Sequence, residues 1–278
     1  MKIRIVHVQS PVLKSYIQYF IFFKHTDTDL FTYTTFPNTN LCLAVYKHNN
    51  VVFANSKDSN SCIINEGTTE FYSGLIGFHQ RPFNVEINSQ LEQFCIIFHA
   101  GGLRAFTKMP YQDLINENRI FEILFNAKNI IEHVFETDSD SEKAGILETF
   151  MLGQMTASNL DSRLSTAVAS IYSKNGDVTV SDLAVSMKVN TSTLYRQFIA
   201  HIGQTPKDFI QTVRFRHVLS NMLQGQYSNF SELCYLSNFY DQSHFIHEIK
   251  KRSGNVPQQL NKYLSVEQKE LVWITDRR

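Results

Sequence analysis

One stretch near the end of this 278-residue chain occurs twice. The segments VSDLAVSMKVNTSTLYRQFIAHIGQTPKDFI (180–210) and FSELCYLSNFYDQSHFIHEIKKRSGNVPQQLN (230–261) superpose with an offset of 50, which becomes 51 after a one-residue insertion in the turn. Asp182-Leu183 meets Glu232-Leu233, Val189 meets Phe239, Ser192 meets Ser243, Leu194 meets Phe245, Phe198 meets Ile249, Gly203 meets Gly254 and Pro206 meets Pro257. Two copies make a duplicated unit and not a solenoid.

Each copy reads as a short helix, a tight turn and a second helix. In the first copy Thr179 is placed to cap a helix running through Ser186, MKVN supplies the turn, and a second helix spans Thr191 to His201. With Leu194 and Phe198 inward at about 100° per residue, Ser192 and Arg196 face out, flanked by Thr193 and Tyr195. The second copy turns Phe245 and Ile249 inward and Ser243 and His247 outward, flanked by His244 and Ile246. A helix-turn-helix presents such an outward face to base edges in the major groove. Ser192, Thr193, Tyr195, Arg196, Ser243, His244 and His247 are therefore the candidate base readers. Lys207, Arg214, Lys250, Lys251 and Arg252 are the candidate phosphate contacts. Asp241, His244 and His247 also have metal-ligand spacing, but the first copy has no counterpart at any of the three and no further ligand lies nearby, so no metal site is expected.

The halves differ in charge and texture. Residues 1–159 carry 12 Lys/Arg against 16 Asp/Glu, and residues 160–278 carry 14 against 10, so the duplicated half is the basic one. The first hundred residues hold β-branched and aromatic runs such as YFIFF, LCLAVY and FCIIFHA, broken by the turn clusters HTDTD, FPNTN and HNN, which predicts antiparallel strands. The period then lengthens: Ile120, Phe121, Leu124 and Phe125, and Ile130, Ile131, Val134 and Phe135, recur at helical spacing. The polar run ETDSDSEK (136–143) is the linker candidate. Ile146, Leu147, Phe150 and Met151 then form an apolar stripe that must be buried in this chain or against a second copy. The expected division is a β-rich domain with C-terminal helices over 1–135, a linker and linker helix over 136–163, the double helix-turn-helix over 164–264 and a tail over 265–278. The four cysteines are widely spaced, which fits buried free thiols better than disulfides or a thiolate metal site. The opening residues lack a signal-peptide pattern and no run of 18 apolar residues occurs, so a cytoplasmic protein without a membrane partner is expected.

The region from about Leu164 to Tyr263, carried by SDLAVSMKVNTSTLYRQF, IGQTPKDFIQTVRFR and above all Phe239-x-Asp-Gln-Ser-x-Phe245, resembles the DNA-binding domain of the AraC/XylS transcriptional regulators. The resemblance implies an α+β protein: a barrel-like β-rich sensing domain over 1–135, for effector binding and dimerisation, followed by an all-α domain of seven helices, in which the helix from Pro206 to Leu223 holds both readers. It implies Ser192, Tyr195 and Arg196 as the main base readers, double-stranded DNA as partner, a small-molecule effector of unknown identity, a homodimer and contact with RNA polymerase. It implies no enzyme, no catalytic residue and no cofactor. The chain departs from the pattern at Lys188 and Asn238, where the family has Gly in each turn, at His247, where it has Arg, and at Ile249, where it has Phe. Lys tolerates left-handed backbone less comfortably than Asn, so the first turn is expected to take another shape. In the first half, FPNTNLCLAV and FCIIFHAGGLRAF resemble a strand entry and a strand-to-helix turn of one uncharacterised subgroup. Gly101-Gly102 reads as a tight turn sooner than an anion site. His79, Arg81 and His99 are the candidate lining of an effector pocket. Competing readings are a non-specific nucleoid-type DNA binder and a β-barrel small-molecule enzyme with a helical appendage. The enzyme reading is weakened because GFHQRPFNVEI lacks the His-x-His of a cupin metal site.

Overall fold

The structure, a computed structural model, describes residues 1–55, 60–156, 162–225, 227–268 and 271–275. Seven strands come first: β1 (Lys2–His7), β2 (Ile17–His25), β3 (Phe31–Thr35), β4 (Leu41–Asn55), β5 (Asn60–Gly77), β6 (Phe83–Ile87) and β7 (Leu91–Phe98). After the helical half the chain adds β8 (Ser265–Glu267) and β9 (Leu271–Thr275). Together they form one nine-stranded, nearly closed sheet in the order β1-β2-β7-β4-β5-β6-β3-β9-β8. The pairs are antiparallel except β5 with β6, where Ser61 to Ile64 run parallel to Asn84 to Ile87, against the expectation of a purely antiparallel sheet. A kink in the long β4–β5 ribbon accompanies this: the register shifts between Lys47 and Asn49, His48 takes a φ of 55°, and a Cβ on Gly67 would stand 2.6 Å from the Asn49 carbonyl carbon.

Strand alternation divides the apolar runs between two cores. Phe20, Phe22, Val45, Phe94 and Ile96 point outward and are covered by α1 (Tyr111–Leu114), α2 (Ile120–Phe125), α3 (Lys128–Glu136) and α4 (Asp140–Gly153). Tyr19, Ile21, Phe23, Tyr46, Cys95 and Ile97 point into the barrel. Gly101, at a φ of 76°, and Gly102, whose Cβ would stand 2.1 Å from the Tyr16 carbonyl oxygen, make the tight turn that leaves β7.

The linker expectation needs correction over 136–156. Ser139 caps α4 by accepting from the Glu142 amide, and α4 is packed on the outer core, with Leu147 and Met151 fully buried in it and Phe150 stacked on Phe121 at 5.6 Å. The apolar stripe is thus spent within the chain, not on a second copy. Residues 157–161 of the expected linker lie outside the described residues.

Seven helices follow: α5 (Ser162–Ser173), α6 (Val180–Ser186), α7 (Thr191–His201), α8 (Pro206–Gln224), α9 (Phe230–Leu236), α10 (Gln242–Ser253) and α11 (Pro257–Tyr263). They build one core around Leu194, Phe198 and Phe209 and another around Phe215, Phe245 and Ile249, with α8 contributing to both. The second core also takes in Phe36 from the barrel, edge-on to Phe215 at 6.2 Å. The segment expected as a tail returns to the sheet: Tyr33, Thr34 and Thr35 of β3 pair with Thr275, Ile274 and Trp273 of β9. Between β8 and β9, Gln268 accepts from the Ile5 amide at 3.2 Å and donates to the Ile3 carbonyl at 3.1 Å, so a side-chain amide bridges to the free edge of β1. No helix among the described residues is long and apolar enough to cross a membrane.

Candidate nucleic-acid interface

Each helix-turn-helix copy is held by the same local bonds. Thr179 accepts from the Asp182 amide at 3.1 Å and Asn229 from the Glu232 amide at 3.0 Å, capping α6 and α9. In the turns, Lys188 at φ 55° and Asn238 at φ 59° are both left-handed. The Lys188 amide donates to the Val185 carbonyl and the Asn238 amide to the Tyr235 carbonyl, each at 3.0 Å. The first turn therefore has the same shape as the second, contrary to the sequence expectation; two backbone bonds hold Lys188, the second running from the Val189 amide to the Ala184 carbonyl. Asn190 then caps α7 by accepting from the Thr193 amide at 2.7 Å, and Asp241 caps α10 by accepting from the His244 amide at 2.8 Å. The carboxylate of Asp241 thus has a structural task. Equating Asn190 with Asp241 identifies the inserted residue as Tyr240, which is fully exposed.

Both second helices leave a polar face open. Leu194, Phe198, Phe245 and Ile249 are buried, whereas Ser192, Tyr195, Arg196, Ser243, His244 and His247 are exposed and Thr193 half-buried. Arg196 rests on Thr193, donating to its hydroxyl at 3.3 Å. Lys250 and Lys251 are exposed in the last turn of α10, and Lys207 is exposed in the first turn of α8.

Two of the basic side chains expected on phosphates are used inside. Arg252 is 1% exposed, donates to Gln211 Oε1 at 2.8 Å and lies 3.4 Å from Glu248, with burial pulling its pKa down. Arg214 is half-buried, donates to the Gly176 carbonyl at 2.8 Å and lies over the Phe239 ring at 5.5 Å. Both point into the helix-turn-helix body, Arg252 from α10 onto α8 and Arg214 from α8 onto the turn between α5 and α6; a cluster of basic letters does not reveal which of its members faces inward.

Above the barrel, α8 contributes Arg216 to the lining of a cavity on the inner face of the sheet. His79 lines it, stacked on Phe83 at 4.3 Å, with Nε2 buried and unpartnered. Arg81 and His99 do not line it: Arg81 is exposed on the β5–β6 loop, and His99 follows β7 with its Nδ1 3.2 Å from the Gln18 amide nitrogen, one residue removed from the lining Asn40, which donates to Gln18 Oε1. The β5–β6 loop joins this cavity to both copies. A Cβ on Gly203, in the turn that leaves α7, would stand 2.5 Å from the Phe78 ring, and one on Gly254, in the equivalent turn after α10, would stand 3.4 Å from Pro82. Gln204 also donates to the Asn38 carbonyl at 3.3 Å. Neither Phe78 nor Arg216 stands out in the sequence; Tyr240 could have been found there as the inserted residue of the repeat.

Two family models match separate parts of the chain. Residues 183–263 match a family described as a helix-turn-helix domain, and residues 7–119 match a domain of unknown function, DUF6597. No curated protein matches the chain. Among solved structures, the C-terminal domain of AraT, a response regulator from Geobacillus stearothermophilus, is similar over 40% of this chain and 93% of its own, at 18% identity and a TM-score of 0.36. An apo variant of ToxT from Vibrio cholerae is similar over 89% of this chain and 97% of its own, at 12% identity and a TM-score of 0.43. Wild-type ToxT with bound unsaturated fatty acid covers 86% and 93%, at 13% identity and a TM-score of 0.39.

Proposed function

We propose that this chain, whose residues 183–263 match a helix-turn-helix domain, is an AraC/XylS-type regulator that reads specific sequences in double-stranded DNA under the control of a small molecule held in the barrel. The observation that carries the reading is the paired geometry: two copies with matching caps and turns, each leaving the polar face of its second helix open. Ser192, Thr193, Tyr195 and Arg196 read bases from the first copy, and Ser243, His244 and His247 from the second. Lys207, Lys250 and Lys251 hold phosphates. Effector control is supported by the cavity, whose lining draws on both halves of the chain. A homodimer on paired sites would raise affinity through effective concentration, using a surface other than the buried stripe of α4.

Selecting bound duplexes from a random DNA pool with the purified full chain tests the reading. Enrichment of a bipartite motif with centres about 10 bp apart is the expected result. Retention of duplexes without any enrichment would favour a non-specific nucleoid-type binder and sink the sequence-reading claim.

A further inference from the structure

The barrel cavity has a size and a chemistry that restrict what it can hold. It is partly open and offers about 130 Å³, close to the roughly 150 Å³ of an apolar cavity that accommodates benzene. Its walls are mainly rings and thiols, among them Tyr19, Phe23, Tyr46, Phe83, Cys62 and Cys95. The titratable groups among them are held uncharged: burial raises the Tyr46 phenol well above its usual range, pushes the Cys62 thiol up to about 12 and pulls the His79 imidazole down to about 4. Thiols held so high are poor nucleophiles and act here as soft wall atoms. Among the described residues no carboxylate lines the cavity, and Arg216 is the one lining residue with a formal charge at neutral pH. A cationic ligand moved into such a lining loses its hydration with little to replace it.

One polar atom is left over. His79 Nε2 is buried without a hydrogen-bond partner, on a ring fixed in place by its stack on Phe83. A hydroxyl can pair with that nitrogen in either tautomer, because it both donates and accepts.

Resting on the effector-controlled reading above, we propose that the cavity takes a compound of single-ring size bearing one hydroxyl, its ring among the aromatic walls and its hydroxyl on His79 Nε2. This excludes cations, which would meet Arg216 and no carboxylate among the described lining residues.

The chain reports on its own cavity. Trp273 is its only tryptophan, buried on β9 with its ring 5.3 Å from that of Tyr33, a cavity-lining residue. Phenol, toluene, benzoate and decanoate are titrated into the full chain while Trp273 emission and heat of binding are followed. Phenol should bind saturably, about tenfold more tightly than toluene, a ratio that one modest hydrogen bond supplies. Benzoate and decanoate should bind more weakly than phenol. His79→Phe keeps a ring to stack on Phe83 and should bring phenol to the affinity of toluene while toluene still binds. Benzoate or decanoate outbinding phenol, an undiminished phenol preference in His79→Phe, or no saturable binding of phenol and toluene would each overturn the proposal. Duplex retention by the same samples separates the two readings: duplex bound without phenol removes the cavity assignment alone, and phenol bound without duplex supports the cavity while removing the regulator reading.

Discussion

The ring of Phe78 lies so close to Gly203 that a Cβ there would stand 2.5 Å from its Cε2 atom, and both residues are left-handed, at φ 61° and 84°. Such backbone is rare for a phenylalanine and is kept only where the surroundings demand it. The contact ties the loop beside the cavity to the turn that leaves the first reader.

Gly203→Ala should therefore be more costly than Gly254→Ala. Both substitutions force a side chain onto left-handed backbone, at about 1–2 kcal/mol, but only the first also collides with a ring. Urea unfolding of the two variants should show Gly203→Ala the less stable by about 1–3 kcal/mol. Replacing Phe78 with Ala in the Gly203→Ala background should recover part of that difference. Equal losses in the two single variants would mean that the loop yields freely.

Arg252 and Lys251 are neighbours in sequence with opposite expectations. Arg252→Ala leaves Glu248 without its buried partner and should cost about 3–5 kcal/mol in chemical denaturation. Lys251→Ala should leave stability within about 0.5 kcal/mol and lower the salt slope of duplex binding by about one. If the Lys251 variant keeps the parental slope, that lysine is only solvated surface.

Reading and holding should separate on the first recognition helix. Arg196 is exposed and can reach guanine O6 and N7 as a bidentate donor, worth about 1–3 kcal/mol of discrimination. Titrations of Arg196→Ala against a selected and a scrambled duplex should show the larger loss on the selected one. An equal loss on both would remove that helix face from the groove.

Acid should weaken the fold partly through His79. Its folded-state pKa of about 4 lies below the ordinary 6.5, so the unfolded chain takes up its proton first as pH drops. Stability from this group is complete above 6.5 and is lost as pH falls toward 4. Between pH 7 and pH 5 the loss should be about 2 kcal/mol, and His79→Phe should lack it in matched urea titrations. Parallel pH dependence in parent and variant would mean that the ring is protonated within the fold.

The helical half was legible in the sequence because its duplication fixes register: once Leu194 is inward, Phe245 must be inward, and the outward faces follow. Exposure of individual basic residues was not legible, since Arg252 and Lys251 differ only in the direction of their Cα–Cβ bonds around α10. In the first half, runs such as YFIFF announce strands but hide their two faces: Tyr19, Ile21 and Phe23 serve the interior while Phe20 and Phe22 serve the helix layer, and every position is apolar. The apolar stripe of α4 could be recognised, but its burial partner could not, because Phe121 lies in a different helix whose docking depends on the whole sheet. The return of residues 265–275 to the barrel had no local signal at all, being decided by a free sheet edge more than two hundred residues away in sequence.

That return has a consequence for biosynthesis. A nascent chain synthesises β1 to β7 first, then the whole of the DNA-binding half, and only afterwards the strand that pairs with β3 and the glutamine that bridges to β1. Throughout that interval β3 has an open edge and the inner face lacks Trp273, so the early segment has an exposed pairing surface of the kind that recruits other strands. The ribosome must deliver the readers before the barrel can be finished, so a stretch ending at residue 135 would keep the β3 edge unpaired.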